Sequence, residues 1–152
     1  MTKNRAADFI IFAIIQARGA KDFGFTPNEC CRNLKIALHQ YWQNKILKKH
    51  GQVHKANIPR SIASMDSNPS DCIVEHAVPL MTIVNKLIEL KHLTRKEVIG
   101  LLNQLFTVAI ITKEEHSKLN SSGLRSTMPA DWDGIDPFAR YAKVAIEISK
   151  QT

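Results

Sequence analysis

Three stretches of the form Thr-x-x-Glu frame this chain: Thr26-Pro27-Asn28-Glu29, Thr94-Arg95-Lys96-Glu97 and Thr112-Lys113-Glu114-Glu115. In such a box the threonine hydroxyl accepts from the third N–H of a helix, and the glutamate answers the threonine's own N–H. Each box therefore predicts a helix start. The first also carries proline at the first helical position, where a missing N–H costs nothing. Behind Thr26, the residues Leu34, Ala37, Leu38, Tyr41, Trp42 and Ile46 recur at helical spacing, predicting one long helix from Pro27 to Lys49 that stops at Gly51. Behind Thr94 the stripe is Val98, Leu101, Leu102 and Leu105; an earlier one runs Leu80, Ile83, Val84, Leu87, Ile88. Ala6 to Ala17 reads as a buried helix. Asp136-Pro137 predicts a last helix with Phe138, Tyr141, Ala142, Ala145 and Ile148 inward. The aromatic pair Tyr41 and Trp42 reads as core rather than as a base-stacking platform.

Two runs break the helical pattern. Cys72 to Val78, stopped by Pro79, and Val108 to Ile111 are short and rich in branched residues, predicting two strands that pair. The expected fold is α+β: a mostly helical single domain, 1–152, with a small two-stranded β element followed by a short helix. Residues 1–60 form its basic helical part, and 70–120 a ββα-like core with a helical insertion. Residues 57–71, with Pro59, Pro69 and several serines, read as a turn-rich connector.

With 152 residues, 44% of them hydrophobic and 23% charged, the chain has the make-up of a globular protein with a real core. Three cysteines, Cys30, Cys31 and Cys72, do not make a disulfide framework, and no C-x-x-C offers a zinc knuckle. A reducing cytoplasm is the expected setting. The longest apolar run, Phe9 to Ile15, is far short of the about 20 residues of a membrane span. Interrupted by Asp8 on its approach, it is read as a helix and not as a cleaved leader.

Charge is unevenly placed. Residues 1–60 hold 11 Lys and Arg against three acids, while residues 61–152 hold 10 against 11. The first part thus carries the whole excess of the chain's net +7. Such asymmetry points to a polyanionic partner, DNA or RNA, or alternatively an acidic protein surface. Arg32, Lys35, Lys45, Lys48, Lys49, Lys55 and Arg60 are the candidate phosphate contacts. Lys45, Lys48 and Lys49 have a second explanation, since cations complement a helix C-terminus.

The chemistry-bearing candidates lie at the ends of the two β runs. Glu75-His76 closes the first, and His116 stands one turn into the helix behind the second. A carboxylate suits a hard divalent cation, and a neutral imidazole can take a proton from water near neutral pH. If the strands pair, His116 can join Glu75 around a metal and leave His76 to activate water. Simpler accounts stay open: Glu75 paired with a lysine, His76 satisfied at a strand end, His116 on a solvated helix face, and Glu115 only a cap.

The stretches Val74-Glu75-His76-Ala77-Val78-Pro79-Leu80 and Ile110-Ile111-Thr112-Lys113-Glu114-Glu115-His116 resemble the His-Me finger, or HNH, nuclease motif. There a strand ending in an acid–His pair lies against a second strand, and a helix bearing another His packs across them. The resemblance implies metal-dependent hydrolysis of phosphodiester bonds. His76 would be the general base, and Glu75 and His116 would hold one Mg²⁺ or another divalent cation. The chain departs from the family pattern in four ways, one being that its first acid is Glu where Asp is common. Its strands are separated by some thirty residues instead of a short loop. The orienting Asn has only Asn103 and Asn120 as candidates. The cysteine pairs of many members are missing.

Other templates find less. There is no G-x-x-x-x-G-K-[ST], no G-x-G-x-x-G and no G-x-S-x-G. Cys72 near His76 reads as a small strand residue, not a thiol nucleophile. In the acidic loop, Asp136 is expected to cap a helix, and Asp131 and Asp133 to have no role. Two other functions remain in view: a non-catalytic interaction module or inhibitor that docks on a partner protein, and a small DNA-binding regulator using the helix pair 80–91 and 94–106.

Overall fold

The computed structural model describes residues 1–47 and 58–149. It is α+β and mostly helical, with a two-stranded antiparallel sheet followed directly by a short helix. The backbone falls into two compact units: 1–54 with 84–102, and 55–83 with 103–152. No helix among the described residues is long and apolar enough to cross a membrane.

The first unit is built on α1 (Lys3–Ala20) and α2 (Pro27–Ala37). The Thr26 box forms as its sequence dictates, with the Thr26 hydroxyl capping Glu29 N–H and Glu29 capping Thr26 N–H. Hydrogen bonds from Thr26 hold the Glu29 carboxyl below its ordinary pKa. The long helix behind it changes character at Leu38: Leu38–Leu47 is π-helical. A wider turn keeps residues four apart closer to one face than an α-helix does, and Leu38, Trp42 and Ile46 are all fully buried there. Trp42 is core, and Tyr41 stacks on Phe9 with ring centroids 4.3 Å apart. The expected stop at Gly51 lies outside the described residues, as do Lys48, Lys49 and Lys55.

Two arginines tie α1 to the other segment of the unit. Arg18 donates to the carbonyls of Ile88 (2.7 Å) and Leu90 (2.6 Å) at the end of α4 (Leu80–Ile88). Arg95, opening α5 (Arg95–Leu105), grips both oxygens of Asp8 at 2.7 and 2.9 Å. That contact holds the Asp8 carboxyl below its usual range. Both residues of this pair are exposed enough for solvent to screen it, so it fixes geometry more than it stabilises.

In the second unit β1 (Cys72–His76) pairs with β2 (Val108–Thr112) in register Cys72↔Thr112 to His76↔Val108. β2 is buried along its length because both its edges are covered. Its second edge is taken by the segment expected to be a connector. Ile110 N–H donates to Pro59 O and Ser61 N–H to Ile110 O, and Ser61 in turn bridges Ile148. Residues 58–71 are therefore a strut with backbone bonds of their own, including the short helix α3 (Ile62–Met65). Turn-forming composition did not reveal this, because isolated bridges need no apolar alternation.

The third box opens α6 (Lys113–Ser121) as expected. Its Glu115 accepts from Thr112 N–H at 2.8 Å and from the Ser61 hydroxyl at 2.6 Å. The chain leaves α6 through Gly123 at φ +74°, with Leu124 N–H returning to Leu119 O. The last helix, α7, covers only Ala139–Lys143. Ala145 turns left-handed at φ 56°, and Ile148 lies on the extended stretch against Ser61. The acidic loop before it is also more ordered than expected. Asp133 accepts from the N–H groups of Ile135 and Asp136, Asp136 from Phe138 N–H, and Asp131 pairs with Lys143. An Asx turn, not idleness, is the role of Asp133.

Gly123 has open space around the position of a Cβ, so only its positive φ resists a side chain. Gly123→Ala should cost about 1 kcal/mol of stability, read from the midpoint shift in urea unfolding at unchanged slope.

Candidate functional site

Strand alternation decides what the end of β1 presents. Ile73, Glu75 and Ala77 share one face, and Ile73 and Ala77 pack in the apolar cluster with Ala109, Ile111, Leu119, Leu124 and Tyr141. Val74, on the other face, is exposed. Glu75 therefore reaches toward the side on which α6 packs, carried there by its apolar neighbours.

His116 meets it. The capping box fixes where α6 begins, and the fourth residue of the helix places His116 Nδ1 3.1 Å from Glu75 Oε2. Two residues 41 apart in sequence thus form one half-buried pair, with 33% and 14% of their side chains exposed. The sequence reading expects these two side chains to come together. It also offered Glu75 a lysine as partner; the residues found there are His116 and Arg140.

Arg140, on α7, is the member of the site that sequence reading missed. Its side chain is 1% exposed. Nη2 donates to Glu75 Oε1 at 2.7 Å and to the His76 carbonyl. Nε donates to Ala77 O at 2.7 Å, and Nη1 to Leu124 O at 2.8 Å and Arg125 O at 3.2 Å. Five N–H groups thus meet five acceptors, which is the full capacity of a guanidinium. The clamp fixes the carboxylate and the backbone at the strand end together. The one sequence signal was position: Arg140 stands beside Tyr141 on the apolar side of a short helix, where an arginine needs partners to be buried.

His76 is half-buried and takes the opposite face of β1, its ring edge-on to Phe106 at 5.2 Å between centroids. Its Nε2 is withdrawn from solvent. Asn103 and Asn120 are exposed. Cys72 directs its thiol toward Ser64 O at 3.8 Å, in keeping with a strand residue and not a nucleophile.

The donor set fits a hard divalent ion with two protein ligands. Two cis ligands of an octahedral ion at about 2.1 Å stand about 3.0 Å apart; Oε2 and Nδ1 are joined by a hydrogen bond of 3.1 Å, which an ion would have to replace. Among the described residues no group of three or more His, Cys, Asp or Glu side chains gathers to hold a metal. An ion here would complete its shell with water and substrate oxygens, as small hard cations commonly do.

The basic candidates divide between the units. Arg32 and Lys45 are exposed in the first, and Lys35 reaches Asn28 Oδ1 at 3.4 Å. Arg60, in the second, donates to Ser64 O at 2.8 Å. Comparison with family models, curated proteins and solved structures returned no match to this chain.

Two stability predictions follow from burial. Glu75→Ala leaves the Arg140 charge buried without its carboxylate and should cost about 3–5 kcal/mol, whereas Glu75→Gln, which keeps an acceptor oxygen, should cost clearly less; chemical denaturation of both variants tests the order. The Tyr141 hydroxyl is buried with no hydrogen bond of good geometry. Burial foremost, with the Glu75 charge adding to it, raises its pKa above the ordinary 10.0. A raised folded-state value means its contribution is intact below pH 10 and is lost as pH climbs beyond it. Tyr141→Phe should therefore lose less stability than wild type when denaturation midpoints are compared on either side of that pH.

Proposed function

We propose that this chain binds nucleic acid and hydrolyses its phosphodiester bonds in a metal-dependent reaction of the HNH type. The observation that carries the reading is the Glu75–His116 pair, joined at 3.1 Å across a β-β-α arrangement. Glu75 and His116 are the residues that would hold one Mg²⁺-type ion. When bound, that ion supplies charge stabilisation to the scissile phosphate.

His76 is assigned the base from its place in the motif; Arg140 holds its carbonyl, and its ring lies on the face of β1 opposite Glu75, against Phe106. In the step, water gives its proton to His76, its oxygen attacks phosphorus, one P–O ester bond breaks, and the departing oxygen takes a proton from a second water to leave as the alcohol. The cations of residues 1–60, among them exposed Arg32 and Lys45, supply sequence-independent attraction to the backbone.

The test incubates the protein with plasmid DNA and with RNA, in Mg²⁺, in Mn²⁺ and in chelator. Cleavage should need the ion. His76→Ala should lower the cleavage rate by about 10²-fold or more while leaving binding intact. Binding itself should weaken steeply with salt. Wild-type cleavage in His76→Ala removes the base assignment. Tight salt-dependent binding without cleavage points to the regulator, and silence in both to the protein-docking module.

A further inference from the structure

We infer that Arg140 is the positioning residue of this site and that its charge makes the hold on the ion conditional on a bound phosphate. The inference rests on the nuclease reading above and goes beyond it in assigning a role to a residue outside the motif.

The geometry has two consequences. Arg140 occupies Oε1 of Glu75 at 2.7 Å, so the carboxylate has a single oxygen, Oε2, left on the His116 side. Four main-chain acceptors fix the guanidinium independently of Glu75, so the aim of that oxygen is set by the fold and not by the ligand. The second consequence is electrostatic. A guanidinium that cannot lose its proton stands against the one carboxylate of the pair, and the imidazole partner is neutral as a ligand. Carboxylate, imidazole and guanidinium together carry no net charge toward a cation.

A hard divalent ion leaves its water for negative oxygen. At a site whose carboxylate is already balanced, it gains little until a phosphodiester brings a negative charge and oxygens of its own. Ion and phosphate then favour each other's binding, and by linkage the effect is mutual. Arginine suits this duty better than lysine, because a planar fork can hold carboxylate and carbonyls at once.

The test measures Mn²⁺ binding from the paramagnetic resonance of the free ion. It compares wild type, Arg140→Gln and Arg140→Lys, each alone and with a short DNA or RNA duplex, after subtracting Mn²⁺ taken up by the duplex. Wild type should bind Mn²⁺ about tenfold more tightly with one of the duplexes present. Arg140→Gln, with the carboxylate uncompensated, should bind Mn²⁺ alone about tenfold more tightly than wild type and gain little from either duplex. Arg140→Lys keeps the charge and should stay within about threefold of wild type for Mn²⁺, while its kcat for cleavage falls at unchanged KM. A purely structural arginine predicts the opposite sign, with weaker Mn²⁺ binding in Arg140→Gln. Should that variant not fold, the duplex effect in wild type and the Arg140→Lys measurement decide. Mn²⁺ bound with indifference to duplex and to position 140 overturns this inference and leaves the nuclease reading standing. Mn²⁺ unbound even with both duplexes overturns the two together.

Discussion

A buried guanidinium is costly unless every donor is met, and the second unit is arranged around meeting those of Arg140. Its partners come from the end of β1, from the turn after α6 and from the Glu75 carboxylate. Each segment would otherwise end in an orphaned carbonyl near an apolar cluster. The arginine thus does for two chain segments, joined to its own helix, what a longer sheet would do with ladder bonds. It also explains why an acid can stand almost buried at the edge of that cluster: Glu75 is held by a permanent cation on one oxygen and an imidazole on the other. Remove the cation and neither the strand end nor the carboxylate has a reason to stay where it is.

What could be read from the sequence was what local chemistry dictates. The boxes at Thr26 and Thr112 were legible because capping needs only four residues and their backbone. The strands were legible from branching, and their pairing brought Glu75 and His116 to one place because the box fixes the phase of α6. What could not be read was set by contacts far apart in the chain. Arg140 reaches acceptors up to 65 positions away, and no periodicity announces that. The strut at 59–61 takes its conformation from β2, so its prolines and serines described a turn while tertiary bonds made an edge. The change to π-helix at Leu38 was also hidden, since an apolar residue every fourth position suits both helices.

The helical insertion between the paired strands departs most from the motif, and the two units give it a physical account. Residues 84–102 belong with the first unit, and there Val84, Leu87, Val98 and Leu102 are fully buried. The insertion is thus part of a core and not an elongated loop. Closing a longer loop between β1 and β2 adds little entropy cost, about 0.6 kcal/mol per doubling of its length. A strand pair with five residues in register and a covered far edge absorbs that cost without giving up its geometry. What brings Glu75 and His116 together is the register of β1 on β2 and the phase of the helix that follows, and neither depends on the length of the connection.

That separation of duties also bears on the charge. The excess of +8 within residues 1–60 accompanies a unit whose described ion pair, Asp8 with Arg95, consumes one cation from outside that stretch. Arg18 of that unit is held by the carbonyls of Ile88 and Leu90, while Arg32 and Lys45 are exposed; the second unit spends Arg140, Arg60 and Lys143 on its own carbonyls and carboxylates. Attraction of a phosphate backbone and chemistry on one phosphate make different demands: the first wants mobile, screened charge over an area, the second a few fixed groups in a partly dry corner. Under the proposed reading the two demands would fall to different residues, and only the second would require the backbone to be held at the end of a strand.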